Sequence, residues 1–134
     1  ESIVNSLGLK NVEVIQEPTK GTLYSMLAKS DLLISYGSTA DIEGLLLDKS
    51  VIDIVGLKRG LSAEVAKRDK YREAVVIVDK DDDLTSVIRK ILTDKKTQAE
   101  LRRKRQRYVA SSFYKIDGKA HQRIATLIEK LARL

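Results

Sequence analysis

From Asp31 to Asp48 the chain reads Asp-Leu-Leu-Ile-Ser-Tyr-Gly-Ser-Thr-Ala-Asp-Ile-Glu-Gly-Leu-Leu-Leu-Asp, a succession that assembles the parts of an anion site. Gly37 permits a sharp turn. Ser38 and Thr39 then bring hydroxyls and backbone N–H groups to the point where a helix starts and its first donors lack partners, which is where phosphate binds well. Glu43 follows Thr39 by four residues, so both share one helical face, and its carboxylate can accept hydrogen bonds from sugar or ribose hydroxyls. The same residues also suit a plain structural purpose, with Ser38 or Thr39 capping the helix and Glu43 near its positive end.

Positioning that turn requires a strand before it and a helix after it. Leu32 to Ser35 is a short apolar run of the kind buried on both faces of a parallel sheet, and Thr39 to Leu47 is the helix. Upstream, Ser2 to Leu7 reads as a helix closed by Gly8. Val12 to Ile15 reads as a strand, and Glu17 to Gly21 as a turn. Leu23, Met26 and Leu27 recur at helical spacing. Downstream, Val51 to Val55 is a β-branched strand, Gly56 to Gly60 a loop, Leu61 to Arg72 a helix and Ala74 to Val78 the last strand. Strands alternating with helices predict an α/β chain with a parallel sheet and helices on both faces. Behind it, residues 84–134 form C-terminal helices. Leu84, Val87, Ile88, Ile91 and Leu92 make one amphipathic face, a long helix spans Lys96 to Ser111, and Ile124, Leu127, Ile128 and Leu131 make the buried face of the last.

Other charged clusters offer less. The acidic turn Asp79 to Asp83 has the residue type of a magnesium site, but acids at a helix N-terminus need no metal, so no metal is expected. Arg102, Arg103, Lys104, Arg105 and Arg107 form the densest charge block. They read either as a solvated helix face or as a contact for anionic lipid headgroups or a phosphate-bearing acceptor.

Composition bounds the rest. The chain has 134 residues, 43% of them hydrophobic, enough for one domain with a real core. It has no Cys and one His, which excludes disulfides, thiolate catalysis and Cys- or His-cluster metal sites. His121 is read as a polar residue in the first turn of the last helix. The net charge is +6 and aromatic content is 4% without Trp, so anions are attracted, while a base-stacking platform for nucleic acid is not expected. No apolar run of membrane-spanning length exists and no signal peptide opens the chain, so the expectation is a cytoplasmic protein, possible at the inner membrane face as a peripheral one.

The segment Ser30 to Ile52 resembles the donor-binding segment in the C-terminal half of GT-B glycosyltransferases. It is similar to that of CDP-glycerol glycerophosphotransferases and of UDP-N-acetylglucosamine 2-epimerases. Leu47-Asp48-Lys49-Ser50 stands where the family commonly has Leu-Gly-Lys-Pro, and Phe113 to Ala125 resembles the Asp-Gly-Lys-Ala segment that opens the last helix. The resemblance implies that Gly37, Ser38 and Thr39 hold the diphosphate of a UDP- or CDP-linked donor, that Tyr36 beside them is also donor-binding, and that Glu43 binds a donor hydroxyl. It also implies that Glu17 and Pro18 lie near the base. It implies a doubly wound, Rossmann-like sheet in the order 3-2-1-4-5-6, with Val12 to Ile15 as strand three and Leu32 to Ser35 as strand four. Four parallel strands are then expected here, with the first two absent.

The expected function is the donor-binding half of a transferase that moves a glycosyl or glycerophosphate group to an envelope polysaccharide or lipid acceptor. No cofactor beyond the donor is implied. The general base belongs to the other half, so the catalytic residues are unknown and the chain alone is expected to be inactive. Two alternatives remain: an epimerase-like enzyme, for which Arg59 is a loose match to the family arginine, and a non-catalytic assembly module.

Overall fold

Three short apolar runs form the sheet: β1 (Leu32–Ser35), β2 (Ser50–Gly56) and β3 (Val76–Asp79), all parallel, in the order β1-β2-β3. The computed structural model describes residues 2–17, 19, 21–56 and 70–133. Around the sheet lie α1 (Ser2–Ser6), α2 (Thr22–Lys29), α3 (Ala40–Leu46), α4 (Lys70–Ala74), α5 (Leu84–Thr93), α6 (Lys95–Ser112) and α7 (Ala120–Ala132). Parallel strands need cover on both faces, and the alternation of side chains along each strand provides two cores. On one face, Leu33, Val51 and Ile77 meet Leu45 of α3, Tyr71 and Ala74 of α4, Val75 just before β3, and Tyr108 of α6. On the other, Leu32, Ile52, Ile54, Val76 and Val78 meet Leu84, Val87, Ile88 and Ile91 of α5 and Leu101 of α6. Register follows: Leu33 lies opposite Val51, Ser35 opposite Asp53, and Asp53 opposite Ile77.

Close packing decides one glycine. A Cβ at Gly44 would stand 3.0 Å from Leu33 Cδ2 and 3.1 Å from Val51 Cγ2, so a larger residue would press these side chains aside and glycine suits the close approach of α3 to the sheet. Helix α3 then ends with the N–H of Asp48 on the Leu45 carbonyl and that of Lys49 on the Gly44 carbonyl, the paired closure that calls for a left-handed residue. Asp48 occupies it, at φ 56°.

The acidic turn caps a helix, as its position suggested. Asp83 accepts from the N–H groups of Thr85 and Ser86, and Asp94 does the same for Lys96 and Thr97 at the start of α6. The Ser86 hydroxyl, and after it the Thr85 N–H, holds the Asp83 carboxyl below its usual range. At Asp94 the Thr97 hydroxyl is the leading cause of the same lowering. A bond to the charged form favours that form.

Several expectations change. Among the described residues the sheet has three strands, because Val12 to Ile15 forms no strand and Val12, Val14 and Ile15 are exposed. A four-residue strand is held by its ladder, and in the expected order its neighbour is not β1. Ala74, expected to open the last strand, ends α4 instead, in keeping with alanine's preference for helix over strand. Gly56, expected to open a loop, ends β2 instead; the rest of that loop, 57–60, and most of the helix 61–72 lie outside the described residues. Helix α7 forms as expected, but none of its residues is buried, and Ile124, Leu127, Ile128 and Leu131 are 57–60% exposed. The 3.6-residue spacing reports an apolar stripe and not the presence of a cover for it.

Candidate functional site

The turn Tyr36–Thr39 lies beyond the C-terminal end of β1, the edge of a parallel sheet where α/β proteins bind ligands. Gly37 takes φ 60°, which a Cβ would strain. Its N–H donates to Asp53 Oδ1 of the neighbouring strand at 3.0 Å, so the turn is tied to β2. Ser38 Oγ accepts from the Ala40 N–H at 3.2 Å, while the Thr39 side chain makes no capping hydrogen bond. The N–H groups of Ser38 and Thr39 find no acceptor among the described residues. They are the donors this turn can offer an anion.

Glu43 lies on α3 with Oε1 receiving the Tyr24 hydroxyl of α2 at 3.4 Å, while Oε2 is buried without a partner among the described residues. A carboxylate oxygen in that state is an acceptor waiting for a donor. The structure therefore brings Tyr36, Gly37, Ser38, Thr39 and Glu43 into one strand-turn-helix unit. Glu17 is exposed and makes no hydrogen bond to it; Pro18 lies outside the described residues.

A polar network beneath the turn went unread in the sequence. Asp41 and Asp53 are both fully buried. Asp53 Oδ2 pairs with Arg72 Nη1 at 2.7 Å, and the Arg72 guanidinium lies 5.2 Å from the centre of the Tyr71 ring. The Tyr71 hydroxyl donates to Asp41 Oδ2, and burial, helped by that bond, pushes the Tyr71 hydroxyl well above the ordinary value of 10.0. Tyr71 is thus a fixed neutral donor. Asp41 Oδ1 and Ser35 Oγ are buried without partners among the described residues. The sequence carried one signal of this: Asp53 interrupts Val51-Ile52-Asp53-Ile54 in a strand buried on both faces, where a charge requires a partner. Asp41 carried none, since an acid in the first turn of a helix is common on a surface.

The network governs local charge. Asp53 accepts from the Gly37 N–H and pairs with Arg72, while Asp41 and Glu43 follow the turn on α3. Beside the acids, hydroxyl and N–H donors are favoured over anions.

The basic block of α6 divides. Arg105 is buried, with Nε and Nη2 on Asp48 Oδ1 at 3.1 and 3.0 Å and Nη1 on Ser50 Oγ at 3.2 Å. Arg102 Nε meets Asp48 Oδ2 at 3.1 Å, and Lys104 pairs with Glu100 at 2.8 Å. Arg105 is therefore a pin between α6 and the α3–β2 connection, not the membrane or acceptor contact expected of it. Arg103 and Arg107 remain exposed without a salt bridge among the described residues. Near this pin, a cleft of about 790 Å³ opens at the N-terminal ends of β1 and β2, walled by Asp31, Asp48, Ile91, Lys95 and Arg102. It lies at the end of the sheet opposite the turn. The chain matches no family model, no curated protein and no solved structure.

Proposed function

We propose that this chain is the nucleotide-diphosphate-binding half of a GT-B-type transferase that moves a glycosyl or glycerophosphate group to a polysaccharide or lipid acceptor. The observation that carries the reading is the turn beyond β1, where two unpartnered N–H groups and the unpartnered Glu43 oxygen occur within one strand-turn-helix unit. Donor phosphate would take the N–H groups of Ser38 and Thr39, and a donor hydroxyl would donate to Glu43. Asp53, Arg72 and the Tyr71–Asp41 pair would act as positioning residues, holding the turn without touching donor.

The succession β1-β2-β3 is also that of strands four to six in the order 3-2-1-4-5-6. In this reading the sheet is part of a larger, doubly wound one. The exposed cations Arg103 and Arg107 face the phosphate-bearing acceptor or anionic lipid. The protein acts in the cytoplasm, at the inner face of the membrane.

The test is a titration of the isotopically labelled chain with UDP, CDP and CDP-glycerol at millimolar concentration. Amide resonances of Gly37, Ser38 and Thr39 are expected to move. Replacing Ser38 and Thr39 with Ala is expected to weaken binding by about 1–3 kcal/mol if the hydroxyls assist, the range for hydrogen bonds to a charged group. Unmoved turn amides would refute the phosphate role; a double variant that binds as the parent does would refute a part for the hydroxyls and leave the grip to the N–H groups alone.

A further inference from the structure

The last helix carries a stripe that the rest of the described chain leaves bare. Ile124, Leu127, Ile128 and Leu131 recur at i, i+3, i+4 and i+7 and are each 57–60% exposed. Preceding them, Tyr114 is 83% and Ile116 61% exposed. The polar surroundings are basic: from Lys115 to Arg133 five Lys or Arg stand against two acids, a balance of +3. Tyr114 lies between cations, with Lys115 Nζ 5.4 Å and the Arg123 guanidinium 5.7 Å from its ring centre.

We propose that α7 and the Tyr114–Ile116 segment before it form an interfacial anchor that lies in the surface of an anionic bilayer. The occupant follows from shape and charge. A second copy would meet roughly 400 Å² of stripe from four side chains, about half of what each partner gives to a stable protein interface. A bilayer needs no matching groove: it accepts a single helix with an apolar face inward and Lys and Arg at the headgroups, and an aromatic ring at the same level adds to the hold. No described helix is long and apolar enough to cross a membrane, so the helix lies on the surface. The inference is independent of donor binding, since nucleotide titration tests one and vesicles test the other. It assigns the apolar insertion to α7, while the cations of α6 contribute attraction alone.

The chain has no Trp, so Leu127→Trp provides a lone reporter. With vesicles of phosphatidylcholine and phosphatidylglycerol at low salt, its emission is expected to shift to shorter wavelength and to be quenched by lipids brominated in their acyl chains. Pure phosphatidylcholine is expected to give little shift, and the shift is expected to shrink as salt rises. In a sedimentation assay with the same vesicles, Ile124→Gln with Ile128→Gln is expected to weaken binding about tenfold or more while circular dichroism shows the core unchanged. No emission shift with anionic vesicles at low salt overturns the proposal. So does vesicle binding that the Gln pair leaves intact, which would rest on α6, or a concentration-dependent dimer that the Gln pair dissociates.

Discussion

Asp48→Gly opposes two effects whose sizes the structure separates. Asp48 holds the left-handed residue that closes α3, where glycine is normally favoured, so the replacement relieves about 1 kcal/mol of backbone strain. It also removes the carboxylate that faces Arg105, whose side chain is 7% exposed, and Arg102. Stranding a buried charge costs about 3–5 kcal/mol. Because Asp48 is itself 46% exposed, water reaches the vacated space, and we take about 2–3 kcal/mol of that cost as remaining. The net expectation is a loss of about 1–2 kcal/mol in urea unfolding at unchanged m-value. Arg105→Met is expected to cost less, about 1 kcal/mol, since Asp48 rehydrates and keeps Arg102. The double replacement is then expected to be at least as stable as Asp48→Gly alone, the signature of coupling between contacting residues. An Asp48→Gly chain as stable as the parent or more so would show that Arg105 does not depend on this carboxylate.

Tyr71→Phe leaves the buried Asp41 carboxylate without its donor, and a loss of about 1–3 kcal/mol in urea unfolding is expected; an unchanged midpoint would mean that water replaces the hydroxyl. Because the folded state raises the Tyr71 hydroxyl above 10.0, its contribution is complete below that pH and is lost as alkali titrates the unfolded chain. Ultraviolet titration should therefore show one of the five tyrosines ionising only together with unfolding. The helix-capping carboxylates Asp83 and Asp94 act in the other direction: both are lowered below 3.8, so their contribution is present above that pH and lost as acid protonates them. Thermal melts between pH 5 and pH 2, about the span of carboxylate titration, should fall less steeply for Asp83→Asn with Asp94→Asn than for the parent; parallel curves would place the acid sensitivity elsewhere.

Elements whose determinants are local were legible in the chain. The apolar runs at β1, β2 and β3, the glycine turn at Gly37, the acidic cap before α5 and the periodic face of α5 each depend on neighbours within a few residues, so spacing and residue type suffice to find them. Boundaries were less legible. Ala74 sits where a helix gives way to a strand, and its assignment depends on packing against Tyr71 and Val75.

What only the tertiary structure decided is which groups pair across distance. Arg105 in a run of exposed-looking cations becomes buried because Asp48 and Ser50, more than fifty residues earlier, come beneath it. Asp53 gains the Gly37 N–H and Arg72, and Asp41 gains Tyr71. A charge run and a lone acid look alike in sequence whether they face water or a partner, since the cost of burying them is set by the surroundings and not by the residue. For the same reason the sequence of α7 specified an apolar stripe, while the fold determined that no described element covers it.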